Sequence, residues 1–152
     1  MRIAIPLAAF LALSCTTGVM RASSIDSAPP NQQSIDALLM KANQAQPRDQ
    51  CFLYAEVVHQ MTELSIRQYA AGDTAKAAGL LKQIQQFAQR IHWSLASKDK
   101  RLKNAEILLS HTAFRLTEML HATSDDDQAL VKQTLAQVNQ AQNAAMMQVF
   151  SK

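Results

Sequence analysis

A chain of 152 residues with 48% hydrophobic content has the material for one domain with a real core. Three glycines, four prolines and few β-branched residues, set against abundant Ala and Gln, favour helix over strand. The formal charge of +3 counts Arg2 and Arg21; without them it falls to about +1, so the charge balance is poor support for a nucleic-acid partner and none is expected.

The opening stretch MRIAIPLAAFLALSC sets Arg2 before an apolar run from Ile3 to Leu13. That run is too short to span a bilayer as a helix and has the length of a secretory h-region. Residues 1–22 therefore read as a signal peptide, and the protein as exported, either periplasmic or secreted. Ala-Leu-Ser before Cys15 resembles a lipobox, in which Cys15 is cleaved and acylated. The alternative is ordinary cleavage near Gly18 or Ala22. Membrane contact is expected only through the signal or such a lipid anchor. Cys51 is then the one free thiol, so no intrachain disulfide is expected, and it reads as a small buried apolar residue.

Residues 23–33, SSIDSAPPNQQ, are polar and proline-bearing and read as a flexible linker before a helical domain at 34–152. Ser34 is placed to cap a short helix with Ile35, Leu38, Leu39 and Ala42. Pro47 opens a long helix as a first-turn proline, Gly72 ends it, and Asp73 caps the next. In that next helix Ala77, Leu80, Leu81, Ile84, Phe87, Ala88, Ile91 and Leu95 fall on one side at helical spacing. A further helix carries Leu102, Ala105, Leu109, Ala113, Leu116 and Leu120. Ser124 caps the last one, whose first turn, Asp125 to Asp127, complements the macrodipole. Its core stripe is Leu130, Thr134, Leu135, Val138, Ala141, Ala145 and Val149.

The fold class is thus all-α, an antiparallel bundle of four to five helices. One connection is open. ASKDKRLK at 96–103 has neither Gly nor Pro, and the apolar stripe keeps its phase across it. Unbroken propensity slightly favours one continuous, coiled-coil-like helix over 74–122, about 73 Å long. A turn at Ser97 to Asp99 would instead fold the chain back. The basic cluster Lys98, Lys100, Arg101 and Lys103 reads as a solvated face.

LSIRQYAAGDTAKAAGLLKQI resembles the turn of a tetratricopeptide hairpin, with Gly72, Asp73, Ala77 and Leu81 at suitable offsets; this implies a helical hairpin, and no second copy follows at that period. More broadly, CFLYAEVVHQMTEL, KRLKNAEILL and the C-terminal QVF resemble a group of small exported proteins of soil bacteria. That resemblance implies no particular activity.

Two Glu-x-x-His motifs, EVVH at 56–59 and EMLH at 118–121, raise the question of a carboxylate-bridged dimetal site. Such a site needs a further inward Glu from each of two other helices. All four glutamates, Glu56, Glu63, Glu106 and Glu118, lie on the two motif helices. In an up-down bundle, residue n of the first long helix lies level with about n+51 of the parallel third one, which separates the motifs by roughly 16 Å along the axis. The remaining metal candidates are Glu56, His59, His111, Glu118 and His121. His59 shares a lesser apolar seam with Phe52 and Ile66, and the 100–122 helix carries a matching one of Ile107, His111, Phe114 and Glu118; the two seams are expected to face each other or a second subunit, while His121 lies on a stripe border. No metal or other cofactor is expected, and no grouping of nucleophile, base and orienter marks an enzyme. The seam, Trp93 and the apolar end Met146, Met147, Val149 and Phe150 point to a non-enzymatic module that binds a protein partner or itself, with Phe52, Ile66, Trp93, Ile107 and Phe114 as the partner surface. A metal-binding bundle is the second reading.

Overall fold

The computed structural model describes residues 28–95 and 101–151. The expected signal peptide at 1–22 and the candidate lipidation site Cys15 lie outside the described residues, as do Lys98 and Lys100. Five helices follow in chain order: α1 (Gln32–Gln44), α2 (Pro47–Ala70), α3 (Thr74–Ser94), α4 (Leu102–Ala122) and α5 (Asp125–Phe150). No described helix is long and apolar enough to cross a membrane.

The helix ends largely follow the residues that predict them, with instructive shifts. Asn31, not Ser34, is the N-cap of α1; its side chain accepts from the Ser34 N–H at 2.8 Å, and Ser34 Oγ accepts from the Asn31 N–H at 3.0 Å. This reciprocal capping box starts the helix two residues inside the expected linker. Pro47 occupies the first turn of α2, and Gly72 takes φ +84° directly beyond its end, where the Asp73 N–H reaches back to the Gln68 carbonyl. Asp73 holds the N-cap position of α3, but its carboxylate pairs with Lys76 at 3.1 Å rather than with the helix N–H groups. At the α5 N-cap the Ser124 N–H donates to the Tyr69 hydroxyl at 2.8 Å, so a side chain of α2 fixes the start of α5.

The apolar stripes close into one core. All eight predicted α3 residues are buried, as are Tyr54, Val57, Val58, Met61 and Leu64 of α2. Val131, fully buried at the start of α5, was missing from the predicted stripe. Helix α2 packs against α1, α3 and α4, while α5 closes the ring against α3 and α4. Within each hairpin the helices run antiparallel. Tyr54 stacks on Phe87 with ring centroids 6.1 Å apart, and Ser65 Oγ donates to the Ala77 carbonyl at 3.1 Å. Between hairpins, α2 lies parallel to α4 and α3 parallel to α5. The five buried polar residues, Thr62, Ser65, Thr112, Thr123 and Thr134, all bond to backbone carbonyls, so they add no unsatisfied group to the core.

The continuous helix over 74–122 does not form. Both α3 and α4 pack against α2, whose 24 residues span about 36 Å. A straight 73 Å rod could not lay both halves on it. Burial decides the matter: Leu95 and Leu102, either side of the reversal, both enter the core.

Two outcomes follow for stability. Ile84→Ala should cost about 2–5 kcal/mol in denaturant unfolding, because a fully buried branched side chain would leave a cavity among three helices. Tyr69→Phe should cost about 0.5–2 kcal/mol through loss of the hydroxyl that caps α5, and amide exchange should quicken in the first turn of α5 in particular.

Candidate functional site

The charged and histidine side chains of α2 collect on the strip that its neighbours leave open. Phe52, Glu56, His59, Glu63 and Ile66 are half-buried there, between α4 on one side and α1 on the other. The α2–α4 register is set by pairs 52 or 53 residues apart. His59 Nδ1 lies 3.1 Å from Thr112 Oγ1, and Glu63 receives Arg115 in a two-pronged ion pair at 2.6 and 3.1 Å. Arg115 also bonds Glu118 one turn along its own helix. Two carboxylates thus share one guanidinium.

The electrostatics follow from these contacts. Burial pushes the His59 pKa below its usual 6.5; Glu63 opposes this, while His111 and Arg115 add to it. The hydrogen bond from Arg115 holds Glu63 below the ordinary carboxylate value despite partial burial. Those same two carboxylates raise Arg115 further. Glu56 behaves oppositely: burial raises it, with Arg101 and Lys41 pulling it part of the way back.

Of the metal candidates, these contacts place His59 and His111 within electrostatic reach of each other and commit Glu118 to Arg115. His121 is exposed and sits about nine residues farther along the axis than Thr112, or about 14 Å. EVVH and EMLH therefore do not share a level. Among the described residues, no group of three or more His, Cys, Asp or Glu side chains lies close enough together to hold a metal ion.

His59 and Thr112 have the composition of a base and a hydroxyl nucleophile. Their geometry argues otherwise: Thr112 is fully buried, and its hydroxyl proton is directed to the Leu108 carbonyl at 2.8 Å. Its oxygen therefore accepts from His59 Nδ1–H, and no substrate can reach it. The pair is a packing contact with a satisfied hydrogen bond.

The predicted partner surface divides in two. Phe52 and Ile66 pack against the core, and the Arg101 guanidinium sits 4.0 Å from the Phe52 ring centroid, so neither offers an open apolar face. Ile107 at 48%, Phe114 at 62% and Trp93 at 73% are exposed. At the far end of α5 Met146, Met147 and Phe150 are exposed as well, while Val149 packs inward. Ile107 and Phe114 lie two turns apart on the outer side of α4, so the seams of α2 and α4 do not close on each other.

Sequence reasoning missed Arg115, the centre of the charge network. The signal was available: the expected offset of about 51 sets it beside Glu63 and Leu64, and it precedes Glu118 by three residues. Arg115 drew no notice because it belongs to neither Glu-x-x-His motif.

Comparison with protein-family models, curated proteins and solved structures finds no match for the chain.

The pKa shifts fix the sign of an acid response. As pH falls from about 7, the unfolded chain protonates position 59 near 6.5 before the folded chain does, so stability drops until the lower folded pKa is passed. A second loss follows below about 4.5, where Glu63 takes a proton sooner in the unfolded chain. In His59→Gln the loss between pH 7 and 5 should shrink in urea titrations, while the loss below 4.5 remains. Arg115→Met should cost about 1 kcal/mol at neutral pH and remove most of the lower transition.

Proposed function

We propose that this is an exported, non-enzymatic helical module that docks a protein partner or a second copy of itself through the outer face of α4. The observation that carries the reading is the pair Ile107 and Phe114, exposed on a helix whose other large apolar side chains enter the core. Withdrawing such side chains from water on contact is worth about 25 cal/mol per Å2 of apolar surface. An exposed aromatic two turns from an exposed aliphatic residue on the same helix face is also the composition of an interface anchor. Export rests on Arg2 and the apolar run Ile3 to Leu13. The non-enzymatic reading is supported by the buried, committed hydroxyl of Thr112 and by a charge cluster in which Glu63 and Glu118 are both paired with Arg115.

Site-directed photocross-linking in the native cell envelope tests this. A photoreactive residue at position 114 should give a discrete adduct, and one at exposed Lys132 on α5 should not. Phe114→Ser should abolish the adduct seen from position 107 while leaving the thermal midpoint within a few degrees, as befits an exposed site. No adduct from either 107 or 114, or unfolding of Phe114→Ser, would sink the docking reading.

A further inference from the structure

A recess between α3 and α5 carries chemistry that the docking face does not use. Ala88 and Ala141 lie almost fully buried in its floor, with side chains too short to fill it. A cavity of about 230 Å3 remains. Its walls are Gln89, His92 and Trp93 from α3 and Gln137 and Gln140 from α5. No Asp, Glu, Lys or Arg lines it, and none of these five side chains is engaged with another described residue.

That set of groups selects a ligand class. A charged molecule would lose hydration there and find no counter-charge. An aliphatic one would strip water from three amides without replacing the hydrogen bonds. Each Gln presents a carbonyl acceptor and two N–H donors, which matches hydroxyl groups that both donate and accept. The electron-rich face of an indole attracts polarised C–H groups, such as those on the apolar face of a sugar ring. At its volume the recess is below the range of drug-sized pockets and suits a single ring.

We propose that the α3–α5 recess binds a neutral saccharide, one pyranose ring at a time, with Trp93 as the stacking platform and Gln89, Gln137 and Gln140 as hydroxyl partners. His92 adds a ring nitrogen at the rim. The site lies on a different pair of helices from Ile107 and Phe114, so it stands whether or not the α4 face docks a partner.

Trp93 is the only tryptophan in the chain, so its emission reports on this site alone. The purified protein is titrated with glucose, N-acetylglucosamine and their short β-linked oligomers, and with glucuronic acid as the charged control. The neutral sugars should give a saturable emission change with an affinity on the order of millimolar for one ring, and glucuronic acid should bind no better. Gln137→Ala and Gln140→Ala, which place a strong helix former at a half-buried and an exposed position of α5, should each weaken binding about threefold to tenfold and leave the thermal midpoint within a few degrees. Three results overturn the proposal: no saturable response to any neutral sugar, a response undiminished in the double variant, or a sugar-free emission that shifts to the blue with protein concentration. The last would mean that a second copy covers Trp93.

Discussion

Helix α2 must bury more than half of its circumference, and the rest of the bundle is arranged to let it do so. Ten of its residues are buried, on an arc too wide for one neighbour. Three helices cover that arc together. Helices α1 and α4 flank α2, and α3 lies between them against the Tyr54 and Ser65 side. The strip left over is narrow, and there Phe52, Glu56, His59 and Glu63 meet water part of the way round. Half-burial is what makes these groups electrostatically distinctive. A fully exposed Glu63 would need no partner, and a fully buried one could not be satisfied by a partner that Glu118 also holds.

Setting α2 parallel to α4 has a consequence of its own. Parallel neighbours align their peptide dipoles, which is mildly unfavourable, but each also lies against an antiparallel partner, α3 for α2 and α5 for α4. The cross-links between the parallel pair are polar: His59 with Thr112, Glu63 with Arg115, and Tyr69 with Ser124. Apolar contacts tolerate a one-turn slip better than directional ones do. The polar pairs select one register out of those that the core alone would accept.

Local signals were legible wherever one stripe met one core. The α3 stripe could be read residue by residue because its apolar side chains recur on a single face with glutamines and lysines opposite. Pro47, Gly72 and the acidic start of α5 marked boundaries through backbone and dipole chemistry that tertiary contacts do not override. The reversal after Leu95 was hidden for the opposite reason. Leu95 and Leu102 are seven residues apart, so a helix running through them keeps its phase, and periodicity cannot distinguish continuation from return. Only the need to bury both stripes against one helix of about 36 Å discriminates. Phe52 and Ile66 meet the same limit: both lie on the helical face opposite the main stripe, and periodicity does not tell that both are partly packed against the core.

The surface then separates by what each side chain leaves unsatisfied. Along the α2–α4 strip His59 is answered by Thr112, and Glu63 and Glu118 by Arg115. On the outer side of α4 the unsatisfied surface is apolar, and only another apolar surface relieves it. Between α3 and α5 it is amide and indole together, uncharged and concave. A flat protein face cannot enter a recess of about 230 Å3, and a small polar ring gains nothing from Ile107 and Phe114. The two surfaces therefore differ in the occupant they admit as well as in position, and occupation of one does not block the other.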